Sequence, residues 1–149
     1  MLAKDIMTRQ VITVSPEMPI TEAAEILLQN RISGVPVVSA DNELIGILTE
    51  GDLIVREKDL KGPVTLSILG ALIYLENPKR FEEELRRITG VRVKDVMSKP
   101  VLTVTEDTPV ADIASLMIEK GINRVPVMRH QHLVGIVTRA DIVRSLLER

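Results

Sequence analysis

Two short stretches of the sequence bring a hydroxyl and a carboxylate to the predicted start of a helix. "GILTEGD" (46–52) and "GIVTRAD" (135–141) each run from an apolar segment into Thr-x-x-Asp. A helix N-terminus attracts phosphate through its free N–H groups and its dipole. A Thr hydroxyl can donate to that phosphate, and a carboxylate can accept both hydroxyl hydrogens of a ribose cis-diol. The candidate nucleotide contacts are therefore Thr49, Asp52, Thr138 and Asp141.

The same four residues also fit a capping box. In that motif a Thr at the N-cap accepts from an early helical N–H, and an acidic residue at N3 accepts from the N-cap N–H. The usual N3 residue is Glu or Gln, and Asp has a shorter reach. From the residues alone, capping and nucleotide contact both remain open.

Both corners lie in an internal repeat that covers most of the 149-residue chain. The segment from Lys4 to Val37 aligns with the segment that starts 90 residues later, at Lys94. After a loop that is one residue shorter in the second copy, the offset is 89, and "LIGILTEGD" aligns with "LVGIVTRAD". A match of this length and order is not chance, so the chain contains two copies of one unit.

Each repeat predicts the element order β-α-β-β-α. The first strands are "VITV" (11–14) and "VLTV" (101–104), and Pro19 and Pro109 suit the first turn of a helix. These helices, over 20–30 and 110–120, place apolar residues at helical spacing: Ala23, Ile26, Leu27, Ala114, Met117 and Ile118. The following strands are 35–38, 43–49, 125–128 and 132–138, and the closing helices are 50–58 and 139–149.

The predicted fold class is α+β, with two β-α-β-β-α repeats related by pseudo-twofold symmetry and packed through their small sheets. One repeat alone would expose the apolar face of its sheet, whereas two copies can bury those faces against each other. The predicted domains are 1–58 for the first motif, 59–92 for an insertion and 93–149 for the second motif. The insertion predicts two helices broken at Asn77-Pro78; the apolar first helix packs on the core or, alternatively, forms a dimer or partner surface.

The composition disfavours several classes of protein. One Tyr, one Phe and no Trp leave no aromatic platforms for stacking bases, and a net charge of −2 argues against a dedicated binder of nucleic acid or anionic membranes. The most apolar segment, 64–75, is too short to span a bilayer, and the charged first ten residues do not resemble a signal peptide. The absence of Cys fits a reducing compartment, so we expect a cytoplasmic protein with no membrane partner.

Residues suited to catalysis are scarce. His130 and His132 lie in a predicted turn, and nothing near them resembles a Ser/His/Asp set or a metal constellation. Their spacing could chelate a surface metal, but a solvated turn is the favoured interpretation. Neither G-x-G-x-x-G nor a P-loop is present. We therefore expect no enzymatic activity, no required cofactor and no metal site.

The ordered set of motifs resembles the cystathionine β-synthase-type (CBS) domain, present as a tandem pair. "KDIMT", "ISGVPVV" and "GILTEGD" carry the resemblance in the first repeat, and "KDVMS", "INRVPVM" and "GIVTRAD" in the second. The resemblance covers about residues 4–57 and 93–148. It implies a disc-like, usually dimeric module that binds adenosine-containing ligands such as AMP, ADP, ATP or S-adenosylmethionine and regulates an attached enzyme, channel or transporter.

The resemblance also implies which residues surround the adenine. Members of the family bury the base between the segment entering the first strand and the h-P-V strand. For one cleft this implies Thr8, Ile12, Val35 and Pro36, and for the other Ser98, Leu102, Val125 and Pro126. The two valines fit plain core packing equally well.

Charged residues make the two implied clefts different. A basic residue before h-P-V often touches phosphate in the opposite cleft, and Arg124 fits that role whereas the matching Gly34 does not. A solvated surface Arg is the alternative for Arg124. At the corners themselves, Glu50 in the first repeat corresponds to Arg139 in the second. The sequence does not rank the two clefts.

The expected function is therefore that of a non-enzymatic regulatory module, for example an energy sensor, with adenosine ligands between its two motifs. Two alternatives stay open: an interaction module whose clefts bind no ligand, and a nucleic-acid-binding relative, which the composition disfavours. A homodimer and an effector protein acting in trans are the expected protein partners. The dimer is expected from apolar positions on the closing helices: Leu53, Ile54, Ile142, Val143, Leu146 and Leu147.

Overall fold

A computed structural model describes residues 1–59 and 90–148 of the chain. The first part contains a short helix α1 (Ala3–Ile6), helix α2 (Ile20–Asn30), strands β1 (Gly34–Val38) and β2 (Leu44–Thr49), and helix α3 (Glu50–Asp59). The predicted helices within 59–92 lie outside the described residues.

The second part repeats this order. A short helix α4 (Val93–Val96) is followed by strand β3 (Val104–Thr105), helix α5 (Val110–Lys120), strands β4 (Arg124–Arg129) and β5 (His132–Thr138), and helix α6 (Arg139–Ser145). A 3₁₀ turn over Leu146–Glu148 follows α6. The α+β fold predicted from the repeat is confirmed.

The two long matching helices, α2 and α5, begin and end for the same local reasons. Pro19 and Pro109 are the N-cap residues, with φ of −58° and −61°. At the other end, Arg31 and Gly121 adopt the left-handed conformation, with φ of 53° and 63°. This conformation ends a helix and strongly favours glycine, so Arg31 carries a backbone strain that Gly121 does not.

The sheets are small and built around hairpins. β1 pairs with β2 in a two-stranded sheet, and β3, β4 and β5 form a three-stranded sheet in that order. β4 and β5 are antiparallel, and the ladder places Arg124 opposite Thr138 at one end and Arg129 opposite His132 at the other. The predicted first strands are shorter than expected: β3 has two residues, and in the first repeat Val14 forms a single parallel bridge with Val37.

The chain divides into two compact units. The first-hairpin unit comprises Thr13–Ser39 and Ile45–Lys99; the second-hairpin unit comprises Met1–Ile12, Ala40–Leu44 and Pro100–Arg149. Each unit contains its own cluster of buried residues. That of the first-hairpin unit includes Ile20, Leu27, Val35, Val37, Leu48 and Leu53, and that of the second includes Ala3, Met7, Ile113, Val125, Val127 and Val137.

The segment that leads into each repeat packs in the unit formed by the other repeat. Ala3 N donates to Thr108 O (2.8 Å), and Thr8 pairs with Ile136. In the same way, Val93 N donates to Met18 O (2.9 Å), within the unit of the first hairpin. Neither α1 nor α4 was predicted from the sequence.

The apolar residues at helical spacing in α5 are not all buried. Ile118, predicted among them, is 82% exposed, whereas Ile113 is fully buried. Ile113 and Met117 are four residues apart and share a face, whereas Ile118 lies one step further round the helix.

Among the residues described, no helix is long and apolar enough to cross a membrane.

Candidate functional site

The first corner is formed where β2 runs directly into α3. Thr49 N donates to Asp52 Oδ2 (2.9 Å), and Asp52 N donates to Thr49 Oγ1 (3.2 Å). These reciprocal bonds form the predicted capping box and fix the positions of both side chains. Glu50 N donates to Ser33 O (2.9 Å), which ties the first residue of α3 to the loop before β1.

The second corner repeats this geometry where β5 runs into α6. Thr138 N donates to Asp141 Oδ2 (2.9 Å), and Asp141 N donates to Thr138 Oγ1 (3.3 Å). The Thr138 hydroxyl also donates to Asp141 Oδ2 (3.0 Å). Capping is therefore confirmed at both corners, and the nucleotide contact predicted for the same four residues stays a prediction.

A leading segment passes close to each corner because a strand glycine leaves room for it. In the first-hairpin unit, Ile47 and Ser98 exchange backbone hydrogen bonds of 3.0 and 2.8 Å. A Cβ at Gly46 would lie 2.6 Å from the Met97 sulfur. Met7 lies in the same way against Gly135, so each glycine is required by a methionine of the leading segment.

The predicted cleft groupings stay predictions, but the structure places Thr8 and Ser98 beside the corner of the other repeat. Thr8, predicted to share a cleft with Val35, lies in the second-hairpin unit, paired with Ile136. Ser98, predicted to share a cleft with Val125, donates from Oγ to Asp52 Oδ1 (2.7 Å) in the first-hairpin unit. The reason is the exchange of leading segments between repeats. The isolated strand glycines, Gly46 and Gly135, indicate that another backbone segment approaches closely, but they do not indicate which repeat supplies that segment.

The apolar candidates fall into two kinds. Val35 and Val125 are fully buried, with 0% of their surface accessible to solvent, and Pro36 and Pro126 are also buried. Ile12 and Leu102 are large apolar side chains that remain 37% and 41% exposed. Exposed aliphatic side chains of this kind offer a surface on which a flat base can pack.

The basic candidates belong to the second-hairpin unit. Arg124 lies opposite Thr138 in the β4–β5 ladder and is partly buried. Arg139 begins α6; its N donates to Asn123 O (3.0 Å) and its guanidinium donates to Asn123 Oδ1 (3.3 Å). The role predicted for Arg124 at the opposite cleft stays a prediction.

Sequence reasoning missed one residue at the second corner. Arg144 donates to Asp141 Oδ1 at 3.0 Å, and the Asp141 side chain is only 6% exposed. The i, i+3 spacing of an acidic and a basic residue on a helix is the signal that could have indicated this pair. Within residues 1–59 and 90–148, no group of three or more His, Asp or Glu side chains is placed to hold a metal.

Comparison with known proteins defines the family. The CBS domain profile matches residues 3–59 and 93–148. The chain therefore belongs to the CBS domain family and contains a tandem pair of these domains. It is 31% identical over 155 residues to the uncharacterized protein MJ1426 of Methanocaldococcus jannaschii, covering 99% of this chain and 92% of that protein.

Other relatives are longer proteins or have bound ligands. The chain is 30% identical to the chloroplastic CBS domain-containing protein CBSX1 of Arabidopsis thaliana, covering 91% of this chain but only 58% of that protein. The structure is similar to that of CBSX2 in complex with AMP, with a TM-score of 0.72 and 26% identity, covering 99% of this chain and 96% of that chain. It is also similar to the CBS domain pair of MJ0100 in complex with 5′-methylthioadenosine and S-adenosyl-L-methionine. That comparison has a TM-score of 0.71 and 28% identity, and it covers 99% of this chain and 97% of that chain.

Proposed function

We propose that this chain is a non-catalytic regulatory module that binds an adenosine-containing ligand at its Thr-x-x-Asp corners. One observation carries the proposal: each corner fixes a carboxylate and a hydroxyl at the start of a helix, in a fold whose neighbours have bound AMP or S-adenosylmethionine. In this proposal Asp52 and Asp141 accept from the ribose diol. The hydroxyls of Thr49 and Thr138 face the phosphate or the group that replaces it.

The remaining site residues have assigned roles in this proposal. Ile12 and Leu102 provide apolar contact for the adenine, together with the strand residues Val35, Pro36, Val125 and Pro126. Thr8 and Ser98 place a hydroxyl beside the corner that their leading segment reaches, and Arg124 and Arg139 supply positive charge for phosphate. These assignments follow family positions in this sequence, and the open sides of Ile12 and Leu102 support them.

A direct test is a thermal-shift screen of ligand-stripped protein against AMP, ADP, ATP, S-adenosylmethionine and GTP. A ligand that binds the folded state raises the melting temperature by mass action. The proposal expects adenosine ligands to raise it and GTP to leave it unchanged. A flat response to every adenosine ligand would favour an interaction module whose clefts bind no ligand. Strongly salt-dependent binding of RNA or DNA would instead favour a nucleic-acid-binding protein.

We also propose that the module forms a homodimer through helix faces that remain apolar. Ile118, Val143 and Leu147 are 82%, 62% and 84% exposed, and Leu146 is 58% exposed. Leu28 and Ile54, at the corresponding positions of the first repeat, are 54% and 51% exposed. Leu53, one of the apolar positions predicted for this surface, is instead fully buried in the core of its unit and contributes nothing to the surface.

Light scattering tests the dimer. The proposal expects twice the chain mass of 16.5 kDa at micromolar concentration. Ile118→Glu should shift the measured mass toward that of the monomer, because dimer formation would bury the new unpaired charge in the proposed interface. Lys120→Glu, on the same helix at an exposed polar position, is the control and should remain dimeric. A wild-type mass of one chain across this range would refute the dimer.

Regulation of a partner protein in trans and a cytoplasmic location complete the proposal. The division into motifs 1–58 and 93–149 with an insertion 59–92 belongs to it as well. Pull-down of a partner that is retained with AMP and released without it, or the reverse, would support the regulatory role. A partner bound equally under both conditions would argue for a purely structural role.

A further inference from the structure

The two corners share their capping box but differ at the second oxygen of the carboxylate. In both corners Oδ2 accepts from the backbone N–H of the N-cap threonine at 2.9 Å. At the first corner, Asp52 Oδ1 accepts from the Ser98 hydroxyl at 2.7 Å. At the second, Asp141 Oδ1 accepts from the Arg144 guanidinium at 3.0 Å. Among the side chains that the structure describes, Oδ1 therefore has a neutral partner at the first corner and a cationic partner at the second.

These two partners affect an incoming diol differently. A serine hydroxyl is both donor and acceptor and can rotate, so Ser98 can turn toward a ligand hydroxyl while Asp52 accepts another. A guanidinium has no acceptor, and its charge-assisted bond must be broken or bent before Oδ1 can accept from a diol. Asp52 is also partly exposed, whereas the Asp141 side chain is 6% exposed.

One position of the repeat accounts for the cation at the second corner. At the offset of 89 that aligns the corners, Arg144 corresponds to Val55. The first repeat therefore has no cation three residues after its aspartate. Among the described residues, no Lys or Arg forms a salt bridge with Asp52.

We infer that Arg144 occupies the diol-accepting oxygen of the second corner in the free protein and thereby weakens the binding of an adenosine ligand at that corner. This inference rests on the proposed function. Arg144 thus acts as an internal competitor of the ribose. Its guanidinium is largely solvent-facing, with 63% of the side chain exposed, so it can swing away when a ligand arrives.

The experiment isolates the second corner in an Asp52→Ala background and titrates it with adenosine by calorimetry. Adenosine carries the diol but no phosphate, so the loss of a positive charge does not itself weaken binding. Replacing Arg144 with the residue of the first repeat, Arg144→Val, should tighten adenosine binding about 1.4-fold to fivefold, the range for one competing ion pair at a partly exposed site. Arg144→Gln should act in the same direction and guards against a folding defect of the valine variant.

Two controls separate diol binding from general effects. Arg129→Val removes an arginine of similar exposure, 58%, from a salt bridge with Glu106 at the far end of the hairpin, and should leave the affinity unchanged. 2′-Deoxyadenosine lacks one hydroxyl of the diol, so Arg144→Val should increase its binding affinity less than that of adenosine.

The outcomes are distinct. Tighter adenosine binding in both Arg144 variants, with Arg129→Val unchanged, supports the inference. Unchanged or weaker adenosine binding in both Arg144 variants overturns the inference. The absence of measurable adenosine binding at the second corner of these variants, while wild type binds adenosine, also overturns it. The proposed function survives in both cases. Absence of AMP and adenosine binding to wild-type protein overturns the proposed function and the inference together.

Discussion

Replacing Gly46 with alanine is predicted to disturb the first corner through the backbone that supports it. The added Cβ would lie 2.6 Å from the Met97 sulfur, 3.0 Å from Met97 Cγ and 3.3 Å from Ser98 O, where ordinary contacts begin at 3.4 Å. The methionine side chain can adjust because it has several rotatable bonds. The Ser98 carbonyl cannot move freely, since it accepts from Ile47 N at 3.0 Å.

The expected cost of Gly46→Ala is about 0.5–2 kcal/mol of unfolding free energy. Overpacking a well-filled site costs about 1–3 kcal/mol, and replacing a strand glycine returns roughly 0.5–1 kcal/mol through the unfolded chain. Urea denaturation with a fixed slope measures the difference. Because the displaced segment carries Ser98, the same variant should also weaken AMP binding at the Asp52 corner.

Gly51→Ala is the matched control for stability. Its Cβ would meet Thr49 Oγ1 at 3.5 Å, an ordinary contact, and Gly51 lies inside α3. Alanine there should stabilise the protein by up to about 0.5 kcal/mol, the lower end of the gain in a helix interior, because Gly51 is the second residue of α3. If Gly46→Ala proves as stable as Gly51→Ala, the close approach of Met97 and Ser98 to the strand does not hold in solution.

Three further substitutions test individual features. Arg31→Gly should raise the unfolding free energy by about 0.5–1 kcal/mol by relieving a left-handed residue, and unchanged or lower stability would contradict the αL assignment. Ser98→Ala should cost about 0.5–1.5 kcal/mol through its lost bond to Asp52, and a neutral effect would show that this bond adds no net stability. The hydrogen bonds from Arg129 lower the pKa of Glu106 from its ordinary 4.5. Wild type should therefore be more stable than Arg129→Gln above pH 4.5 and lose that advantage as the pH falls through the lowered pKa. A stability difference that persists in acid would refute this linkage.

The sequence was sufficient for features that depend on local chemistry. The helices over 20–30 and 110–120 match the prediction at both ends, because each is preceded by a proline and shows a helical apolar period. The capping boxes were predicted because Thr-x-x-Asp acts within one helical turn. The family followed from the order of the repeated motifs.

Features that depend on partners distant in the chain could not be derived in the same way. The segments containing Thr8 and Ser98 have equivalent sequences, so either could pair with either strand, and only the fold decides between Ile47 and Ile136. Helices α1 and α4 have four residues each, too few to produce a periodic signal. Their aspartates, Asp5 and Asp95, accept from the backbone N–H three residues earlier, at 2.7 and 2.8 Å.

The predicted roles of several site residues combine both kinds of information. Val35 and Val125 lie in the two cores, as the core-packing interpretation expected, and burial alone does not assign them to a ligand. The Arg144–Asp141 pair follows a local spacing, yet its importance appears only once Asp141 is seen to be almost fully buried. A charge pair on a surface helix would otherwise be an ordinary solvated contact.

The most direct test of the proposed function is calorimetric titration of ligand-stripped wild type and of the double variant Asp52→Ala/Asp141→Ala with AMP, ATP and S-adenosylmethionine. Charge-assisted hydrogen bonds to a ribose diol are worth roughly 1.5–3 kcal/mol, so the double variant should bind the preferred ligand about 10- to 150-fold more weakly. It should remain folded, because loss of a cap partner costs about 1 kcal/mol per helix. Wild-type affinity in the folded double variant would contradict the ribose assignment and leave both aspartates as helix caps.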